Sequence, residues 1–280
     1  MRRLVKRAVL WDAFRYLVAV LFALLLLVPL VWAISGSFHT NATLFNDPYQ
    51  WLPRVATSEN YTTGWGEISF GRDMLNSLLI AFVLATIGVF LGLMAGYALG
   101  KSKFLGRDLI FWAIVSTLLL PFPAILIPVY IITVKLGIVN TYLGVIVPGL
   151  LTAQVIFFMR QYVLGIPDEL IECARVDGAS ELRLYLRIVL PLCWPVFASM
   201  AVLVFVGSWN NLLWPLVVID SSNLYTVPLG LTHFSSQYFT NYTGELAMSV
   251  VGALPVLVLF LFVRRRILDS VMVSGGAVKG

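Results

Sequence analysis

The chain has 280 residues, 60% of them hydrophobic and 12% charged, with a mean hydropathy of +0.91. Soluble domains carry about 25% charged residues, so the composition excludes a soluble globular protein and predicts an integral, all-α membrane protein of several spans. The net charge of +5 does not imply nucleic acid, because the basic residues sort by topology.

Six transmembrane helices are read at about 14–34, 74–99, 109–133, 142–160, 194–218 and 246–263 within one transmembrane domain covering 1–280. The N-terminal "MRRLVKR" precedes an apolar run, Tyr16 to Ile34, that exceeds the usual ~7–15-residue h-region of a signal peptide. An uncleaved first span is expected there, followed by an external loop at 35–73. The second span carries Gly88, Gly92, Gly96 and Gly100 on one helical face, a pattern that lets helix backbones approach closely in lipid. It predicts packing against another span or a partner subunit. Pro121, Pro123 and Pro128 break the third span, and Pro255 is expected to kink the sixth. The fifth holds Trp209, Asn210 and Asn211. Amides at that depth either hydrogen-bond between helices or line a solute path, where aromatic and amide groups suit sugar faces and hydroxyls. With both termini cytoplasmic, only Arg54, Arg72 and Lys135 of the 19 basic residues fall outside, as the positive-inside rule requires.

Several motifs lead nowhere catalytic. "AGYALGKS" (95–102) fits a relaxed phosphate-loop pattern, yet an apolar helix precedes it where such a loop needs a strand. If ATP is used, another chain hydrolyses it. His39 and His233 are isolated, so no metal site and no catalytic dyad is expected. Cys173 and Cys193 fall near the cytoplasmic face and suggest no disulfide framework. The N-x-[ST] triplets at Asn41, Asn60 and Asn241 are of a kind that chance supplies in polar loops.

The charged interruption is "IECARVDGASELRLYLRIVLP", residues 171–191. Pro167 suits a first helical turn, Asp168 and Glu169 suit the helix N-terminus, and Gly178 can take a left-handed C-terminal cap. A second helix then starts near Ser180 and is expected to end before Pro191. The segment reads as helix, glycine turn, helix on the cytoplasmic side, too polar to span and too regular for a linker. Physical reading alone leaves two roles open, a docking knob or an interfacial helix pair without a partner.

Glu172-Cys173-Ala174, three residues, Gly178, nine residues, Ile188, one residue and Leu190-Pro191 reproduce the EAA loop of binding-protein-dependent ABC importer permeases, EAA-x3-G-x9-I-x-LP. Cys173 stands where alanine is usual. "NSLLIAF" (76–82), "AGYALGKSKFLGRD" (95–108), "LIPVYIITVKLGIVNT" (126–141), "WNNLLWPL" (209–216) and the ending "GAVKG" resemble blocks of the carbohydrate branch in family order. "WNNLLWPL" has Asn211 where aspartate is usual, and Met272, Val273, Ser274 and Gly275 replace the usual "GLTA".

The resemblance implies the type I ABC importer permease fold, a multi-pass protein of a bacterial or archaeal inner membrane, and no enzyme. Its implied partners are a second homologous permease, an ATPase dimer that uses ATP and Mg, and an extracellular solute-binding protein; it implies no cofactor on this chain. ATPase coupling falls by resemblance to Glu172, Cys173, Ala174, Asp177, Gly178, Ala179, Ile188, Leu190 and Pro191 in the loop 166–191. A C-terminal cytoplasmic tail, 264–280, would contact the ATPase through Gly276, Ala277, Val278, Lys279 and Gly280. Sugars or oligosaccharides are the branch's commonest cargo, with glycerol-3-phosphate or polyols as the alternative. A stand-alone secondary transporter is the remoter reading; it wants intramembrane carboxylates or inverted repeats.

Overall fold

A computed structural model describes residues 2–45, 51–67, 69–235 and 240–276, with side chains placed for 11–45, 51–66, 69–235 and 240–263. In chain order the main helices are α1 (Arg2–Gly36), α2 (Glu59–Glu67), α3 (Phe70–Lys101), α4 (Arg107–Leu119), α5 (Phe122–Lys135), α6 (Tyr142–Gly149) and α7 (Ala153–Leu164). They continue with α8 (Asp168–Val176), α9 (Glu181–Leu192), α10 (Trp194–Trp209), α11 (Leu213–Val218), α12 (Val227–Leu231) and α13 (Tyr242–Gly276).

Among the described residues, three uninterrupted stretches are long and apolar enough to cross a membrane: Trp11–Gly36 of α1, Phe70–Lys101, and Tyr242–Val263 of α13. The other candidates are bent pairs: α4–α5 turns through 112°, α6–α7 through 42° and α9–α10 through 81°. If each pair makes one crossing the total is six.

The third span, expected at 109–133 to be broken by its prolines, is broken, and the spans expected at 142–160 and 194–218 are bent as well. At the sharpest bend Pro121 follows Leu120, whose ψ of 116° is extended, because a residue before proline is driven out of the helical region. The helix of the fifth segment ends at Trp209, and Asn210 closes its last turn before the short α11 begins. The helix expected to stop before Pro191 instead runs to Leu192. A π-turn over Tyr185–Val189 precedes the proline, and such local adjustments re-satisfy the groups that a proline frees. Conversely, α13 runs past Pro255 as one helix.

The chain divides into two units, Met1–Phe70 with Leu231–Ala253, and Gly71–Gly230 with Leu254–Gly280. In the first, the asparagines of the three N-x-[ST] triplets converge. Asn41 Nδ2 donates to Asn241 Oδ1 at 2.9 Å, Asn60 Nδ2 donates to the Ser37 and His39 carbonyls at 2.7 Å each, and Thr243 Oγ1 meets Asn60 Oδ1 at 3.1 Å. Those side chains close the loop after α1 onto the start of α13. His39 is buried, with Nδ1 3.0 Å from the Ser35 carbonyl.

In the second unit α7 lies along the glycine face of α3. A Cβ at Gly92 would meet Val155 Cγ1 at 2.5 Å, and one at Gly96 would meet the Arg160 amide nitrogen and Met159 Cβ at 2.8 Å. Only glycine permits this approach. The core that results contains Val89, Leu93, Tyr97, Val155, Met159 and Val163, joined by Ile171, Leu184, Tyr185 and Val189 from the segment 171–191.

Candidate functional site

The loop after α7 is anchored from below and free above. Its first helix, α8, starts at Asp168 with Pro167 as the cap residue rather than inside the first turn. Ile171 is buried in the core, while Glu172 and Cys173 on the same helix are exposed. The turn closes by backbone bonds from Asp177 N to Cys173 O, Gly178 N to Arg175 O and Ala179 N to Ala174 O, each 3.0 Å. Gly178 has φ +79°, the left-handed region that glycine enters without a Cβ penalty. Ile188 and Leu190 pack partly buried against the core, and Pro191 is exposed. Leu170, Val176, Leu182 and Leu186 are exposed apolar side chains around the turn, Val176 at 87%, so with Glu172, Asp177, Arg183 and Arg187 also exposed the loop offers a mixed apolar and charged surface.

Two polar ties hold this loop to the end of α3. Lys101 Nζ donates to the Ile166 carbonyl and to Asp168 Oδ1, both at 2.5 Å. That hydrogen bond, with the charge of the ammonium, holds the Asp168 carboxyl below its ordinary range. On the other side Glu181 bridges two elements. Its Oε1 accepts from Arg175 Nε at 2.8 Å and its Oε2 from the Tyr97 hydroxyl at 2.7 Å; the carboxylate bond holds the Arg175 guanidinium above its usual value. Sequence reading missed Tyr97, Lys101 and Glu181. The signal was present in the phosphate-loop decoy: residues 95–101 are helix, and its lysine ties down the loop.

A cavity of about 340 Å³ opens elsewhere in the second unit, walled by α3, α6, the start of α7, α10 and α11. Its polar lining is Ser77, Thr152, Gln154, Ser208, Asn211 and Thr226. Of the three residues expected on a solute path, Asn211 lines the cavity. Trp209 is 3% exposed and stacks on Phe205 at 5.8 Å, and the Asn210 amide donates to the Val206 carbonyl at 2.9 Å. Neither of these two contributes to the wall. Among the described residues no group of three or more His, Cys, Asp or Glu is placed to hold a metal. Gly276 is the last residue of α13, and Ala277, Val278, Lys279 and Gly280 of the expected tail contact lie outside the described residues.

Residues 88–267 match the family described as binding-protein-dependent transport system inner membrane component. The arabinooligosaccharides transport system permease protein of Halalkalibacterium halodurans is 36% identical over 92% of this chain and 93% of its own length. The sn-glycerol-3-phosphate transport system permease protein of Salmonella typhi is 30% identical over 90% of this chain and 92% of its own. In fold, the chain is similar to one in the crystal structure of a bacterial ABC transporter that imports the acidic polysaccharide alginate, with a TM-score of 0.79 at 21% identity, over 91% of this chain and 96% of that one.

Proposed function

The chain belongs to the inner membrane components of binding-protein-dependent transport systems, and from that premise we propose that it is the permease subunit of an ATP-driven sugar importer. It forms half of the translocation path and pairs with a second permease, while a solute-binding protein delivers cargo from outside. The ATP is spent by a partner ATPase dimer. This chain supplies no catalytic group; its work is to turn a movement of that partner into a change of access.

The observation that carries this reading is the family match, and the loop 166–191 gives it a mechanism. Glu172 and Cys173 stand exposed beside the apolar Val176 and Leu182, the composition of a surface meant to be covered. Beneath them Ile171, Leu184 and Tyr185 are locked into one core with α3 and α7. A push on the exposed face therefore reaches the glycine-faced helix pair as a rigid displacement, because close-packed cores transmit strain rather than absorb it. The C-terminal residues Gly276 to Gly280 are assigned a second contact with the ATPase.

Co-purification tests the reading. Glu172 presents an exposed carboxylate, and a charge-assisted bond to a basic residue of the ATPase is lost on Glu172→Lys. The ATPase should co-purify with the wild-type chain and be depleted from the variant at equal membrane insertion. Full recovery of the ATPase with the variant would remove Glu172 from the docking surface.

A further inference from the structure

Resting on the importer reading, we propose that the cavity walled by α3, α6, α7, α10 and α11 is a solute-contact site that takes an uncharged, polyhydroxylated unit of a glycan and excludes phosphate esters. The lining contains hydroxyls and amides together with Phe122 and Trp214, and no Asp, Glu, Lys, Arg or His. Trp214 is 3% exposed, its indole Nε1 already donates to the Gly144 carbonyl at 3.0 Å, and its ring packs edge-on to Phe122 at 6.1 Å. Trp214 thus backs the wall, and Phe122, 38% exposed, is the apolar aromatic surface left for a ligand, which suits the C–H face of a sugar ring. Thr226 also lines the cavity, 4% exposed, with its Oγ1 buried without a hydrogen-bond partner. The hydroxyls of this lining that a sugar can reach are those of Thr152 and Ser208, both half-buried. Gln154 and Asn211 add amide groups at the same wall.

The same lining disfavours an anion. A phosphate ester taken out of water needs a paired cation or several converging amides to offset its desolvation, and no basic side chain reaches the wall. The positive end of α7 does adjoin the cavity, but its cap, Thr152, has its hydroxyl turned back to the Val155 amide at 3.4 Å. The titratable residue adjoining Ser77, one helical turn earlier on α3, is an acid: Asp73, fully buried with both carboxylate oxygens unpartnered. At about 340 Å³ the cavity sits at the lower end of the ~300–1,000 Å³ typical of ligand pockets, so it holds one small glycan unit at a time. Relatives of this chain include permeases named for arabinooligosaccharides and for sn-glycerol-3-phosphate; the lining places this chain with the former chemistry.

The test has two arms on the assembled importer, made with the subunits encoded beside this chain. Uptake of labelled arabinotriose and lactose into proteoliposomes reads the importer function itself, and no ATP-dependent uptake of either would overturn that function. Cavity occupancy is read separately, without the binding protein, by alkylation of Ser208→Cys and Gln154→Cys, each in a Cys173→Ala background, with N-ethylmaleimide. Two positions are used because Gln154 is exposed and tolerates replacement even if Ser208 does not. Arabinotriose or lactose at about ten times its dissociation constant should slow labelling about tenfold, and sn-glycerol-3-phosphate at the same concentrations should leave it unchanged. Sugar uptake with no protection by sugar, or protection by sn-glycerol-3-phosphate equal to that by sugar, overturns the cavity inference and leaves the importer function standing.

Discussion

Gly178→Val isolates the backbone geometry of the coupling turn from everything else the turn does. Gly178 lies at φ +79°, and a Cβ built on it meets no heavy atom within 4 Å. The valine side chain therefore has room, and the whole cost is conformational. An L-residue in the left-handed region costs roughly 1–2 kcal/mol, more for a β-branched side chain. At 1.4 kcal/mol per factor of ten, that lowers the population of the native turn by about 5- to 30-fold. The chain relieves the strain by re-aiming α9, which starts at Glu181, two residues after Ala179, while α8 stays anchored through Ile171. The ATPase should then remain bound while solute-stimulated ATP hydrolysis drops several-fold in proteoliposomes. Gly178→Asn is the control, since asparagine enters the left-handed region at a lower cost than other residues with a Cβ, and it should recover most of the coupling. If the asparagine variant is as impaired as the valine variant, the glycine serves a close contact with the partner and the conformational reasoning fails.

Tyr97→Phe keeps the ring, 4% exposed, in the core and removes only the hydroxyl that donates to Glu181. Hydrogen bonds to charged acceptors are worth ~1.5–3 kcal/mol, discounted here to about 1 kcal/mol because the Glu181 side chain is 58% exposed; coupling should weaken modestly, and Glu181→Ala, which loses both ties, should weaken it more. Gly96→Val forces a Cβ to 2.8 Å from the Arg160 backbone nitrogen, which cannot yield, and should cost about 1–3 kcal/mol as a lowered midpoint of thermal unfolding in detergent. Gly100→Ala meets nothing closer than Val163 Cγ1 at 3.3 Å, with the nearest backbone atom, the Arg160 carbonyl oxygen, at 3.8 Å, and should be far milder; equal midpoints would mean that α3 and α7 are not in close contact. The Lys101–Asp168 tie carries a pH dependence: the Lys101 ammonium holds the folded Asp168 carboxyl below its ordinary range, so its contribution is present above about pH 4 and is lost as pH falls through the folded value. Lys101→Met should abolish that acid-side loss in hydrogen exchange of the 166–178 backbone, and an unchanged profile would show the ion pair to be incidental.

Membrane residence and the helix–glycine–helix loop were legible in the linear chain, because both rest on local physics. Apolar run length sets what can span, and a glycine between two helical patterns marks a left-handed turn. The glycine row at 88, 92, 96 and 100 likewise announced a close helix contact, since a period of four places it on one face. What neighbour fills that face was not legible: α7, through Val155, Met159 and Arg160, is fixed only by how the chain returns. The bends of 112° and 81° were hidden too, because proline shows that a helix can break but not how far its halves turn. Long-range pairing decided the rest. Tyr97 and Glu181 are 84 positions apart, and Asn41 and Asn241 are 200 apart, so no spacing rule joins them. The cavity that gathers Ser77, Gln154, Asn211 and Thr226 exists only once segments distant in the chain have packed, because a side chain's burial and its missing hydrogen-bond partner are properties of the neighbours that folding brings to it.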